Sequence, residues 1–263
     1  MAQVFGTHRS LDRSRGSVGL HVLPTRPRVQ VAAFRLQQAV VIEKILRAAV
    51  ESAEAFADPP GVLLFPEEEV LVARAVESRR REFATARHCA HRALARLGVT
   101  PTPITRGERG APQWPAGIVG SITHCAGYRA AAVASARDML TVGIDAERDE
   151  ALPDGVLDLV SLPDERARLR DLAAADSGTC WDRLLFSAKE AVYKAWFPLA
   201  GRWLGFDQAE ITLGGAAGTF EARLLVPAPE VEGFPLRGFT GRWLASDGLI
   251  LTAITLPAGQ PRA

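Results

Sequence analysis

Disulfide chemistry, a surplus of one charge and membrane-length apolar runs are all missing from this sequence. Its three cysteines, Cys89, Cys125 and Cys180, are too few and too scattered for a disulfide framework, and none belongs to a C-x-x-C metal pattern. They read as reduced thiols. Lys+Arg 31 against Asp+Glu 30 leaves a formal charge of +1, which excludes a bulk polyanion binder but leaves room for a local basic patch. No stretch approaches the roughly 20 apolar residues that span a bilayer, and the N-terminus has no apolar h-region ahead of a cleavage site. The expectation is a soluble, cytoplasmic protein that binds neither nucleic acid nor membrane.

Familiar catalytic motifs are absent too: there is no G-x-G-x-x-G, G-K-[ST] P-loop, H-E-x-x-H, G-x-S-x-G or kinase set. Lysine is scarce, with only Lys44, Lys189 and Lys194 among the 31 basic residues. Where lysine persists in so arginine-rich a chain, a compact, rotatable ammonium can do what a planar guanidinium cannot. Two of the three lysines lie five positions apart and point at one segment.

At 263 residues the chain suits one large domain or two small lobes. Residues 1–40 are rich in Arg, Ser, Gly and Pro without an apolar period, and read as a disordered or non-native extension in preference to a targeting presequence. From Val41 onward the pattern is mixed α and β. A helix is predicted from the Phe65-Pro66 start to Leu97, where Gly98 stops it. Strands are predicted at 117–124, 128–134 and 139–147, and helices at 162–175 and 181–197. Four more strands, at 209–213, 219–225, 238–244 and 249–255, follow, with hairpin turns at 214–218 and 246–248. This is an α+β pattern.

Three groups of residues carry candidate chemistry. Asp145 and Glu147 stand two apart at a strand end, so both side chains share one face; two carboxylates that close call for a proton or a cation between them. The competing reading is an exposed acidic turn. On the 181–197 helix an apolar face runs through Trp181, Leu184, Leu185, Ala188, Val192, Ala195 and Trp196. Arg183, Ser187, Glu190 and Lys194 form the opposite stripe, with Lys189 flanking the apolar face. Glu190 and Lys194 also fit an ordinary i,i+4 pair. The basic positions from Arg79 to Arg92 fit either an anion site or a solvated helix face. His124 and Cys125 are adjacent on a strand and point apart, which argues against a Cys/His catalytic pair.

Together these segments resemble a known family. Val142-Gly-Ile-Asp-Ala-Glu147 is similar to the G-x-D-x-E signature, and Phe186-Ser-Ala-Lys-Glu-Ala-Val-Tyr-Lys194 to the [WF]-x-x-K-E-x-x-x-K signature, of the Sfp-type (EntD-like) 4′-phosphopantetheinyl transferases. Gly120 to Cys125 resembles their GS[IL][ST]HC segment, and the likeness, strongest to stand-alone actinobacterial enzymes, extends over about residues 41 to 257. The resemblance implies an enzyme that moves the phosphopantetheine arm of coenzyme A to a serine of apo acyl or peptidyl carrier proteins, releasing adenosine 3′,5′-bisphosphate. Those carriers, or carrier domains, belong to polyketide, nonribosomal-peptide or fatty-acid synthases. It implies Mg²⁺, with Mn²⁺ as an alternative, held by Asp145, Glu147 and Glu190. Glu190 and Lys194 take the catalytic roles, and Arg79, Arg87, Arg106, Thr123, His124 and Lys189 the contacts to coenzyme A. The implied fold is a pseudo-twofold α+β arrangement of two similar lobes, 41–142 and 143–258, with the cofactor cleft between them, a short tail at 259–263 and a monomeric state. Thr123 in place of the commoner Ser and Arg106 in place of Lys are departures that remove no reactive group. Two other readings compete: a Mg²⁺-dependent phosphodiesterase, and a coenzyme A- or nucleotide-binding protein without turnover.

Overall fold

The computed structural model describes residues 41–215 and 218–259; the extension expected at 1–40 lies outside them, as does the chain beyond 259. The first element is a 3-10 turn, Ile42–Ile45, with both isoleucines buried. Strand β1 (Glu51–Ala55) follows. Its Glu54 carboxylate accepts the amide protons of Val41 and Ile42 and the Tyr128 hydroxyl, at 2.6, 3.2 and 2.6 Å, and so ties the turn to the sheet.

The single helix predicted for 65–97 is two: α1 (Pro66–Val72) and α2 (Glu77–Arg96). The break has a local cause. The Arg80 guanidinium, in the first turn of α2, donates to the Val72 carbonyl at 3.1 Å and to that of Ala73, satisfying acceptors that a continuous helix would have used.

Strands β2 (Thr105–Arg106) and β3 (Pro112–Gln113) form a short ribbon. The next two, β4 (Ile118–Cys125) and β5 (Tyr128–Ser135), make an antiparallel hairpin, and the three-stranded sheet runs β1-β5-β4. Both faces of β5 are covered, which explains its unbroken small-apolar run. Ala130, Ala132 and Ala134 pack with Ile42, Ile144 and Leu251, whereas Ala131 and Val133 pack with Cys89, Ala90, Ala93 and Leu94 of α2.

Strand β6 (Met139–Arg148) opens the second sheet, and the boundary expected between 142 and 143 falls inside it. Helices α3 (Val156–Val160), α4 (Pro163–Ala175) and α5 (Trp181–Ala200) follow. Then come β7 (Ala209–Gly214), β8 (Thr219–Leu224), the small ribbon β9 (Glu230–Val231) and β10 (Phe234–Pro235), β11 (Gly238–Ser246) and β12 (Leu249–Pro257). The five-stranded antiparallel sheet has the order β6-β12-β11-β8-β7. Asp247 and Gly248, at φ 54° and 72°, close the β11–β12 hairpin as a two-residue turn with both central residues left-handed.

Two contacts place the site. No backbone ladder joins β4 to β6 among the described residues; instead the Ser121 hydroxyl accepts the Ile144 amide proton at 3.1 Å, and the Thr123 hydroxyl that of Ala146 at 3.0 Å. Side chains thus zip the edges of the two sheets. The second contact is α5 on β6. Alternation sends Val142, Ile144 and Ala146 into one core and turns Thr141, Gly143 and Asp145 the other way. The Thr141 hydroxyl donates to the Ala195 carbonyl at 2.9 Å. A Cβ on Gly143 would lie 2.3 Å from the Ala191 carbonyl oxygen and 2.7 Å from the Ala195 nitrogen. Both obstacles are backbone, so Gly143→Ala must push the helix off the strand. It is expected to lower the unfolding free energy in urea by about 3 kcal/mol, as overpacking of a rigid core does.

Candidate active site

Helix α5 carries out its predicted role: Trp181, Leu184, Leu185, Ala188, Val192, Ala195 and Trp196 are all buried against β7, β8, β11 and β12. One residue leaves the predicted polar stripe. Ser187 is fully buried and shares a 2.9 Å hydrogen bond with the Thr252 hydroxyl of β12. Glu190 and Lys194 stay half-buried on the side facing β6 and α2.

A cavity of about 410 Å³ lies between these elements, lined by Arg79, Phe83 and Arg87 of α2, Arg106 and Arg109 from the β2–β3 segment, Gly120 to Ile122 and His124 of β4, and Glu190, Tyr193 and Lys194 of α5. It opens between α2, β4 and α5, and neither Asp145 nor Glu147 of β6 lines it. A roomier groove of about 750 Å³ between residues 59 and 84 holds neither histidine nor lysine, and its Arg80 is spent on the α1 carbonyls. The chemistry converges in the smaller cavity.

The basic positions of α2 divide by helical spacing. Arg79 and Arg87 turn toward the cavity, whereas Arg81, His88 and Arg92 face solvent. Arg79 is held by Glu82 at 2.6 Å and donates to His124 Nε2 at 2.9 Å. A guanidinium can only donate, so Nε2 accepts and the ring carries its proton on Nδ1, which lies 3.6 Å from Glu82. Burial lowers the imidazole's basicity; Glu82 works against this, and the charges of Arg79, Lys194 and Arg129 reinforce it, which keeps His124 neutral at neutral pH. Arg106 is exposed at the cavity rim.

The carboxylates gather around β6. Asp145 is only 5% exposed; its Oδ1 accepts from Lys194 Nζ at 2.7 Å and from the Thr123 hydroxyl at 3.3 Å, while its Oδ2 is buried with no hydrogen-bond partner among the described residues. Lys194 also donates to the Ile144 carbonyl at 3.1 Å. Glu147 accepts from Arg183 at 3.0 Å, and Arg183 in turn is clamped by the carbonyls of Glu150 and Ala151 at 2.9 and 3.0 Å. Burial and then the neighbouring Asp145 push Glu147 above the ordinary carboxylate range, with Arg183 and Lys194 opposing. Glu190 is raised for the same two reasons, with Lys194 opposing. Among the described residues no three His, Cys, Asp or Glu side chains already stand in a ligating cluster. An orphaned buried oxygen beside two carboxylates that resist ionisation is nonetheless a donor set that suits a hard cation.

Two expected coenzyme A contacts need correction. The Lys189 ammonium is buried: it pairs with the buried Glu165 at 2.8 Å and donates to the carbonyls of Phe206 and Ala209 at 2.6 and 3.0 Å. All three of its protons are spent fastening α5 to α4 and β7, which leaves none for a ligand. Thr123 is buried as well, its hydroxyl shared between the Ala146 amide and Asp145. It fixes the junction and the carboxylate. Sequence reasoning passed over Glu82 and Tyr193; the i,i+3 spacing of Glu82 from Arg79 was the available signal for the first. The three cysteines are free thiols, as expected, and burial, with Glu147 and Asp145 nearby, raises that of Cys125 to about 11, far from a nucleophile's range.

Comparison with known proteins identifies the family. Residues 67–134 match the family model of the 4′-phosphopantetheinyl transferase N-terminal domain, and residues 141–231 that of the 4′-phosphopantetheinyl transferase superfamily. Over 204 residues, 77% of this chain and 83% of the relative, it is 59% identical to the 4′-phosphopantetheinyl transferase Svp of Streptomyces mobaraensis. Identity is 56% over 222 residues to Npt of Nocardia iowensis (81% of this chain, 99% of the relative), and 53% over 209 residues to PptT of Mycobacterium tuberculosis (78% and 91%). The chain belongs to the 4′-phosphopantetheinyl transferase superfamily, and it is an enzyme of the stand-alone actinobacterial kind represented by these relatives. No helix among the described residues is long and apolar enough to cross a membrane.

The Lys189 assignment is testable by stability alone. Lys189→Met strands the Glu165 carboxylate in the core and is expected to lower the unfolding free energy by about 3 kcal/mol or more, read from urea or thermal melts.

Proposed function

We propose that the protein transfers the 4′-phosphopantetheine arm of coenzyme A to a serine hydroxyl of apo carrier proteins or carrier domains in the cytoplasm, as a Mg²⁺-dependent monomer, with adenosine 3′,5′-bisphosphate as the other product. The observation that carries this reading is one cavity that brings Arg79, Arg87, Arg106 and His124 together with Glu190 and Lys194, the last of which is bonded to Asp145 behind it. Coenzyme A bears a pyrophosphate and a 3′-phosphate, and cations arranged along one wall match that charge. The α2–β1-β5-β4 and α5–five-stranded-sheet units would be the two lobes and this cavity the cleft between them.

Asp145, Glu147 and Glu190 would hold the metal, which when bound neutralises charge on the pyrophosphate oxygens. The chain's own groups supply the rest. Glu190 takes the serine proton as that oxygen bonds to the β-phosphorus. The bond from that phosphorus to the bridging oxygen breaks, and adenosine 3′,5′-bisphosphate departs. Lys194, anchored on Asp145 and the Ile144 carbonyl, has a third proton to direct at the leaving phosphate. Arg79, Arg87 and Arg106 hold the nucleotide phosphates, and the Tyr193–Trp203 aromatic pair, with centroids 4.8 Å apart, lines a small pocket of about 80 Å³ beside Glu190.

Intact-mass spectrometry of an apo carrier incubated with the protein, coenzyme A and Mg²⁺ tests the reading. The expected outcome is a gain of one phosphopantetheine arm, absent with Asp145→Ala and absent without Mg²⁺. Coenzyme A binding without any gain on several carriers would favour the non-catalytic binding protein, and hydrolysis without a carrier the phosphodiesterase.

A pH dependence follows from the raised carboxylates. Both must be ionised to hold a cation, so Mg²⁺ binding to the metal-free protein is present above their raised values and is lost as pH falls through them. In calorimetric titration with Mg²⁺ this loss is expected above the ordinary glutamate value of 4.5, and Arg183→Met, which removes a cation that favours ionised Glu147, should move it higher.

A further inference from the structure

Behind the cationic wall lies a buried acid that the mechanism above does not use. Glu68 of α1 is 0% exposed, and three hydrogen bonds hold its carboxylate in place. Oε1 accepts the Ile104 amide proton at 2.9 Å and meets His91 Nε2 at 2.9 Å, while Oε2 accepts the Phe65 amide proton at 3.1 Å. Burial on its own would raise this carboxyl; the hydrogen bonds from His91, Ile104 and Phe65 outweigh it and keep the group below its usual range, hence ionised.

The charge that this acid serves is Arg87. Its Nε lies 3.9 Å from Glu68 Oε1, an ion pair without a hydrogen bond, and Nε has no hydrogen-bond partner among the described residues; the guanidinium stacks over the Phe83 ring at 4.6 Å, and the side chain lines the cavity. Burial pulls the Arg87 guanidinium down to about 10, Glu68 opposes this, and Arg106 adds to it by repulsion. A desolvated guanidinium facing a second one across a cavity would swing out to water unless an anion held it from behind.

We propose that Glu68 is a positioning residue for coenzyme A: from the far side of the cavity wall it fixes Arg87 and keeps its charge directed at the ligand's phosphates. The inference rests on the functional reading above, since it concerns the same cavity. Glu68 touches no ligand on this account and acts only through Arg87.

Calorimetric titration with coenzyme A, together with transfer kinetics on an apo carrier, tests it with Glu68→Gln. The Kd and KM for coenzyme A are expected to rise about tenfold, the scale of one lost charge-assisted contact, while kcat at saturating coenzyme A and KM for the carrier stay within about twofold. In an Arg87→Met background the same substitution should change the coenzyme A Kd by less than about twofold, because the pathway of its effect is already gone. Wild-type affinity in Glu68→Gln overturns the proposal, and so does an equal loss in both backgrounds, which would mark a structural role alone. If the Gln variant does not fold, Glu68→Asp keeps the charge but withdraws it by one methylene; a rise of about threefold in Kd is expected, and no rise overturns the proposal. A wild-type protein that neither binds coenzyme A nor transfers its arm would overturn the functional reading and this inference together, whereas an active wild type beside an unaffected Glu68→Gln overturns this inference alone.

Discussion

The approach of α5 to β6 at Gly143 sets where the charged groups of the site can be, because the helix backbone at Ala191 and Ala195 occupies the space that a side chain would take. With the helix that close, Lys194 reaches both the Ile144 carbonyl and Asp145, and the Thr141 hydroxyl reaches the Ala195 carbonyl. Glu190, one turn earlier, comes near enough to Asp145 to feel its charge. The glycine of the G-x-D-x-E pattern is thus a packing residue, and it lets the two signatures meet in space. Lys189 and Glu165 press the same helix down from its other flank.

Around that contact the site is a set of charges that hold one another in check. Glu82 holds Arg79, Asp145 holds Lys194, and Arg183 holds Glu147. Asp145 Oδ2 is left without a hydrogen-bond partner among the described residues, and the carboxyls of Glu147 and Glu190 stay raised despite the cations beside them. Pairing of this kind offsets charge within the cavity, and under the proposed function its carboxylates would meet the cation and its arginines the phosphates.

Much of the architecture could be read from the sequence by simple periods. The strands β4, β5 and β6 and helices α4 and α5 lie where the patterns predict them, and the apolar face of α5 is the buried one. The misreadings have two causes. The α1–α2 break is local, set by Arg80 reaching back to the carbonyls of Val72 and Ala73, whereas the Ser187 and Lys189 burials depend on Thr252 and Glu165, which lie 65 and 24 positions away. A propensity window cannot see a partner that far along the chain. The basic face of α2 was ambiguous for the same reason: its own sequence does not say which side of the helix a cavity lies on.

What the sequence by itself determined is the inventory and its local order: two carboxylates on one strand face, a glutamate and a lysine one helical turn apart, and arginines on a helix, because alternation and helical spacing are properties of the backbone alone. Which of these groups meet, and which are used up in holding the fold, was decided only by tertiary structure. Lys189 and Lys194 illustrate the division. They sit five residues apart on one helix, and the roughly 100° turned by each residue sends the first inward to Glu165 and the second across to Asp145.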